Sequence, residues 1–269
     1  MPFGNEWLTT PAWTFVLISI RLLGLFLVAP VFGAKAIPFR IRFLFAASIA
    51  ALLTSIYLPS VRMPSGPAFE ILLVIGKEVT LGVILAFASL VCFMGIQIAG
   101  QMISQLGGVS AGTVFDPDTQ EEVPALSQLL WWTAAAMFLV SGGHRQVLQT
   151  FLDLFSVMPP GQVELPQNLL IGVIELTALS FETAIRVAAP VTVAILLSMI
   201  VIGILSRTIP QLNILSVGLG TNALMMLGSL FITAGTMVWV FQQQHDEILG
   251  LVQSWLMQIG QDTPQMPPT

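Results

Sequence analysis

Two groups of residues in this chain have types and spacings that chemistry could use. The first is Gly108-Val109-Ser110-Ala111-Gly112, which fits G-x-S-x-G, with His144 one helix later. A serine hydrolase, even an intramembrane protease, would use Ser110 as nucleophile and His144 as its base. A nucleophile elbow needs a strand ahead of the serine, whereas the context here is helix to loop. Common residues at so few fixed positions also match by chance. Small residues permitting a tight turn or close packing are the better reading, and no catalytic residue is expected. The second group is the acidic run just beyond: Asp116, Asp118, Glu121 and Glu122. An EF-hand loop requires Gly at its sixth position and Glu at its twelfth. Counted from Asp116, those positions hold Glu121 and Ser127, so the pattern fails. A solvated loop is expected, with neither metal nor cofactor.

Six more charges lie in or beside apolar runs: Arg21, Lys77, Glu78, Glu175, Glu182 and Arg186. A charge at mid-bilayer costs about 2.5–3.5 kcal/mol, so these are expected to be buried charges that pair or face protein and water. Glu182 and Arg186 are four apart and can pair on one helix face, with Glu175 two turns earlier on it. A secondary transporter would use Glu78, Glu175 or Glu182 as a proton or ion relay. No paired discontinuous helices in two matching halves accompany them. Pairing within the bundle or between subunits is the favoured reading.

The elements that must position these residues follow from composition. Of 269 residues 55% are hydrophobic and only 9% charged, with a mean hydropathy of +0.89. A soluble domain carries roughly 25% charged residues to cover its water-facing surface. This chain is expected to be an all-α polytopic membrane protein of about six hydrophobic helices. The net charge of −5 and nine scattered Lys and Arg leave no basic footprint for nucleic acid. A single cysteine, Cys92, permits no intramolecular disulfide. "MPFGNEWLTTPAW" lacks a basic n-region, so a cleavable signal is not expected.

Runs of about 20 apolar residues mark the spans. They fall at 13–31, 43–58, 71–99, 129–140 with its flanks, 187–205 and 214–241. An amphipathic stretch, 169–186, leads into the fifth, which Pro190 is expected to kink. Another, from Asp246 to Ile259, repeats Ile248, Leu249, Val252, Trp255, Leu256 and Ile259 at helical spacing. Lys35, Arg40 and Arg42 put the loop after the first span in the cytoplasm. Alternation then places the Arg207 connector inside and both termini outside, although Arg62 falls outside. Small residues recur at Gly82 and Ala86, Gly95 and Ala99, Gly218 and Thr221, and Gly228 and Ser229, where helices can approach closely.

Five stretches together resemble the FliR family of flagellar type III export-gate proteins. They are "RLLGLFLVAPVFGAKAIPFRIR" (21–42), "GKEVTLG" (76–82), "GIQIAGQMISQLGGVSAGTVFDP" (95–117), "SGGHRQVLQTFLDLFSVMPPG" (141–161) and "SRTIPQLNILSVGLGTNALMMLG" (206–228). The likeness keeps its order over nearly the whole chain. It implies a non-enzymatic pore component built like a fusion of two sister export proteins. Residues 1–186 would be the long-helix part and 187–269 a kinked helical hairpin with an amphipathic tail. The partners implied are sister gate subunits in a helical assembly, an export-switch protein at the cytoplasmic entrance, and unfolded protein cargo. The implied location is the bacterial inner membrane at the flagellar basal body. The virulence-injectisome counterpart shares the fold.

The resemblance also gives the acidic segment a role, as a loop that projects into the channel and plugs it before export. The plug residues would be Gly107, Gly108, Val109, Ser110, Ala111, Gly112, Val114, Phe115 and Asp116. In this reading the glycines make the segment deformable, the carboxylates keep it hydrated, and Val114 and Phe115 supply apolar contact. This chain has fewer bulky residues near Ala111 than other members, so sister subunits are expected to complete the seal. Arg207, Pro210, Gln211 and Asn213 match the family's cytoplasmic hairpin tip, where Pro210 would fix the turn and Asn213 cap the next helix.

Overall fold

A computed structural model describes residues 6–30, 32–33, 38–57, 67–108, 113–115, 122–163, 169–209 and 214–262. Among these residues lie seven helices: α1 (Glu6–Val28), α2 (Phe39–Tyr57), α3 (Ala68–Leu106), α4 (Ala125–Val140), α5 (Gly143–Val157), α6 (Leu169–Thr208) and α7 (Ile214–Asp262). Two short strands, β1 (Thr113–Phe115) and β2 (Glu122–Pro124), join them. The all-α, polytopic class therefore holds. Five helices are long and apolar enough to cross a membrane, and six if α4 and α5 form one broken span.

Prolines set several boundaries, because the residue before a proline avoids the helical region. The helical hydrogen bonds of α1 end at Ala29, just ahead of Pro30. The carbonyls of Pro38 and Pro67 accept the first bonds of α2 and α3. Pro190 lies within α6. Residues 169–186 and 187–205 are one 40-residue helix that runs through it. A proline forfeits one ladder bond, and the remainder of so long a helix holds the register. The amphipathic tail likewise continues the last span as a single 49-residue helix.

The chain divides into two compact units. One comprises Met1–Leu90, His144–Ile174 and Glu247–Thr269; the other comprises Val91–Gly143 and Glu175–Asp246. The boundary expected at 186/187 falls inside α6.

In the first unit, Leu17, Ile18, Leu22, Leu25 and Phe26 form the buried face of α1 at helical spacing. Trp13 and Leu17 pack with Ile71, Val74 and Ile75 of α3. Glycines allow the two backbones to meet. A Cβ on Gly24 would stand 2.9 Å from the Val79 carbonyl oxygen, and one on Gly82 would fall on the Arg21 carbonyl oxygen. Ile248, Leu249 and Val252 of the tail are buried here, and a Cβ on Gly172 would lie 2.6 Å from the Trp255 ring.

The second unit is centred on Ala184, Val187, Ala188, Val191 and Ile195 of α6, with Ala99 and Ile103 of α3 and Met226 and Val240 of α7. Phe93 lies 5.4 Å from Phe138, 5.5 Å from Phe241 and 5.9 Å from Trp131, centroid to centroid. Gly95 abuts Ser180 and Thr183, and Gly100 abuts Ser127. α6 and α7 form the expected hairpin. Ser198 donates to Asn222 Oδ1 at 3.0 Å, while Gly218 faces Ile202, so the two helices run antiparallel.

These glycines differ in a way that can be measured. Gly82→Ala should lower the melting temperature, since overpacking costs about 1–3 kcal/mol. Gly228 has nothing within 4 Å, so Gly228→Ala should leave the isolated chain no less stable. A thermal melt of both variants in detergent checks the contrast.

Candidate functional site

The segment after α3 begins with a hydrogen-bonded turn. Gly107 N–H donates to the Ile103 carbonyl at 2.8 Å and Gly108 N–H to Gln105 at 3.4 Å. Gly108 has φ +71°, the left-handed conformation that commonly closes a helix. A Cβ on Gly107 would lie 2.9 Å from Met226 Sδ, and one on Gly108 2.9 Å from Leu219 Cδ2. Both glycines therefore form a crowded root to the segment, where a side chain would not fit. Val109, Ser110, Ala111, Gly112 and Asp116 lie outside the described residues.

The chain then turns back on itself. Thr113 pairs with Pro124, Val114 with Val123 and Phe115 with Glu122 in an antiparallel register. Thr113 Oγ1 donates to Glu122 Oε2 at 3.1 Å, so this carboxylate is engaged within the hairpin. Val114 is exposed and Val123 buried. The strands were not expected. They form because β-branched Thr113, Val114 and Val123 suit a pleated pair. The return strand leads directly into α4, where Ser127 Oγ donates to the Gln97 carbonyl of α3 at 2.9 Å. The hairpin is thus tethered at both ends.

A second site lies in the first unit. Arg21 and Glu78 are both fully buried. Arg21 Nε donates to Glu78 Oε2 at 2.5 Å. Arg21 Nη1 donates to the Met158 carbonyl at 3.0 Å, and Gly161 N–H donates to Glu78 Oε1 at 2.7 Å. The guanidinium carbon stands 4.5 Å over the Phe155 ring, a cation–π distance. Gln162 N–H donates to the Pro159 carbonyl and Gly161 has φ +80°. Proline followed by a positive-φ glycine is the type II turn pattern. The turn supplies the Gly161 N–H to the ion pair, and the residue just before it supplies the Met158 carbonyl. Sequence reading missed the pairing, though Pro160-Gly161 was a usable sign of the turn.

Four of the six charges stand outside this pair. Lys77, Glu175, Glu182 and Arg186 are exposed on this chain. Lys77 follows from its neighbour, because adjacent helical residues point about 100° apart and Glu78 takes the inward direction. Glu182 and Arg186 do pair, at 2.5 Å, as their spacing implied.

At the connector, Arg207 lies in the last turn of α6, where a cation suits the helix dipole. Pro210, Gln211 and Asn213 are outside the described residues. His144 begins α5 in the first unit.

Comparison with known proteins adds to this geometry. Residues 12–248 match the family model for bacterial export proteins, family 1. The chain is 28% identical over 240 residues to the flagellar biosynthetic protein FliR of Buchnera aphidicola subsp. Baizongia pistaciae, covering 88% of this chain and 93% of that one. It is 26% identical over 215 residues to FliR of Escherichia coli (strain K12), covering 79% of each. It is also 23% identical over 254 residues to the secretion system apparatus protein SsaT of Salmonella typhimurium, covering 93% of this chain and 96% of that one.

Proposed function

The chain belongs to the bacterial export proteins, family 1, and from that membership we propose that it is a subunit of the flagellar type III protein export gate. In this reading it resides in the bacterial inner membrane at the flagellar basal body. It helps form, and with its α3–α4 hairpin plugs, the channel for unfolded flagellar proteins. Residues 1–186 correspond to one sister gate protein and 187–269 to another. Arg207, Pro210, Gln211 and Asn213 face the cytoplasmic export-switch protein.

One observation carries the assembly. α3, α6 and α7 have 39, 40 and 49 residues, about twice the ~20 that cross a bilayer. Large apolar side chains are exposed along them, including Ile174, Phe181, Ile200 and Ile204 of α6 and Leu224, Phe231 and Ile232 of α7. Hydrocarbon can cover only part of such helices. Sister subunits cover the rest, and Lys77, Glu175, Glu182 and Arg186 pair or are solvated at those contacts.

The likeness to SsaT supports the injectisome counterpart as a second reading, and the higher identity of the FliR matches favours the flagellar one. Against a transporter, Glu78 is already held by Arg21 and Gly161. A tagged chain expressed in a strain lacking its own gene should restore motility and co-purify with the sister gate subunits. The Ser110→Ala variant should do both equally well. Lost export at normal protein level would revive the hydrolase reading of Ser110. A lone monomer that moves a small solute across vesicles would replace the gate reading with the transporter.

A further inference from the structure

The first two turns of α2 present a mixed surface. Phe39, Ile41, Phe43, Leu44 and Phe45 are all exposed, and the Phe39 and Phe43 rings lie 6.4 Å apart in a near-stacked pair. Arg40 is exposed among them. The first turn holds no acidic residue, and Arg40 has no carboxylate at ion-pair distance among the described residues. Farther along α2, Ala46, Ala50 and Leu53, which continue the Phe39–Phe43 stripe at helical spacing, are buried.

Neither bulk phase suits this surface. Water would leave five large apolar side chains exposed around the start of one helix, more apolar surface than a water-facing helix end normally carries. Hydrocarbon would strand an unpaired guanidinium, which is strongly disfavoured. The boundary between them satisfies both: aromatic side chains settle at headgroup level, and a guanidinium binds phosphate oxygens through two parallel N–H donors. α2 has 19 residues, close to the length of one crossing, so its start belongs at one face of the bilayer.

We propose that Arg40, with Phe39 and Phe43, forms a binding surface for the headgroup and upper acyl chains of an anionic phospholipid. The phosphate takes the guanidinium, and the acyl chains lie along Leu44 and the two rings. A net negative headgroup is selected over a zwitterionic one because no carboxylate among the described residues neutralises Arg40. This inference does not depend on the export reading.

The full chain in non-ionic detergent can be titrated with phosphatidylglycerol or phosphatidylcholine and followed by native mass spectrometry. Phosphatidylglycerol should be retained in preference, and a photoactivatable analogue should label peptides spanning 39–45. Arg40→Gln should reduce phosphatidylglycerol retention about fivefold, the effect of one basic residue at an anionic surface, without changing thermal stability. Arg40→Lys should keep most of the preference. Equal retention of the two lipids, or an unaltered Arg40→Gln variant, overturns the proposal. So does a variant that loses sister-subunit co-purification while holding the lipid as before, since the surface would then be a protein interface.

Discussion

Replacing residues 109–121 with a short Gly-Ser linker should leave the gate assembled and make it leak small ions. The expected change is from background current to an open-pore conductance, on the order of tenfold or more, because an apolar constriction blocks ions by excluding water. The structure suggests where to cut. Gly107 and Gly108 close α3 through the Ile103 and Gln105 carbonyls. The far end is fixed by Ser127 on Gln97 and by the close packing of Gly100 against Ser127. A deletion that spares these anchors removes the hairpin without removing a helix end. A deletion through Gly107 would mix plugging with instability, because Gly107 lies against Met226. Planar-bilayer recording of the purified gate, with subunit yield measured in parallel, checks the result. Normal assembly with unchanged conductance would mean that this loop does not seal the channel.

The hairpin also shows what the sequence conveyed and what it concealed. Gly107-Gly108 announced the end of α3, because glycine is the usual residue for a left-handed helix close. Its acidic, glycine-rich continuation read as a loop, and the strand pairs of Thr113–Phe115 with Glu122–Pro124 went unseen. Three-residue strands in an apolar helical chain give almost no periodic signal. The tail was legible: Ile248, Leu249 and Val252, spaced as a helix stripe, are buried. Its union with the last span was not, because hydropathy windows cut helices to the bilayer length. Gly82 and Gly95 were recognisable as close-approach sites, and both press on a neighbouring helix. Gly228 carries the same local pattern and touches nothing within 4 Å. Spacing along one helix identifies a smooth face but not what lies opposite. For the same reason Arg21 and Glu78, 57 positions apart, were recognised as charges needing partners without being recognised as each other's.

That pair supports the second large prediction. Glu78→Gln should destabilise the chain by about 3–5 kcal/mol, because it leaves the Arg21 guanidinium charged and buried without its counter-charge. Arg21→Met should do comparable damage from the other side, leaving the Glu78 carboxylate with only the Gly161 N–H. Losses of that size are a large share of a stability of about 5–15 kcal/mol, so both single variants should accumulate poorly in membranes. Arg21→Met with Glu78→Met should recover much of the loss, as apolar replacement of a buried pair is often neutral or favourable. The charge-swapped double variant, Arg21→Glu with Glu78→Arg, separates simple charge balance from the geometry seen here. Its ions would still be complementary, but its backbone partners would be wrong. A carboxylate at position 21 would face the Met158 carbonyl, now bonded to Arg21 Nη1. A guanidinium at position 78 would face the Gly161 N–H, which now donates to Glu78. Neither meeting forms a hydrogen bond, and an unsatisfied buried polar group costs about 1–3 kcal/mol. The expected order of melting temperature in detergent is wild type, then the Met-Met variant, then the swap, with the single variants lowest or level with the swap. A swap as stable as wild type would reduce the pair to charge balance alone and remove any role for the Pro160-Gly161 turn in orienting it.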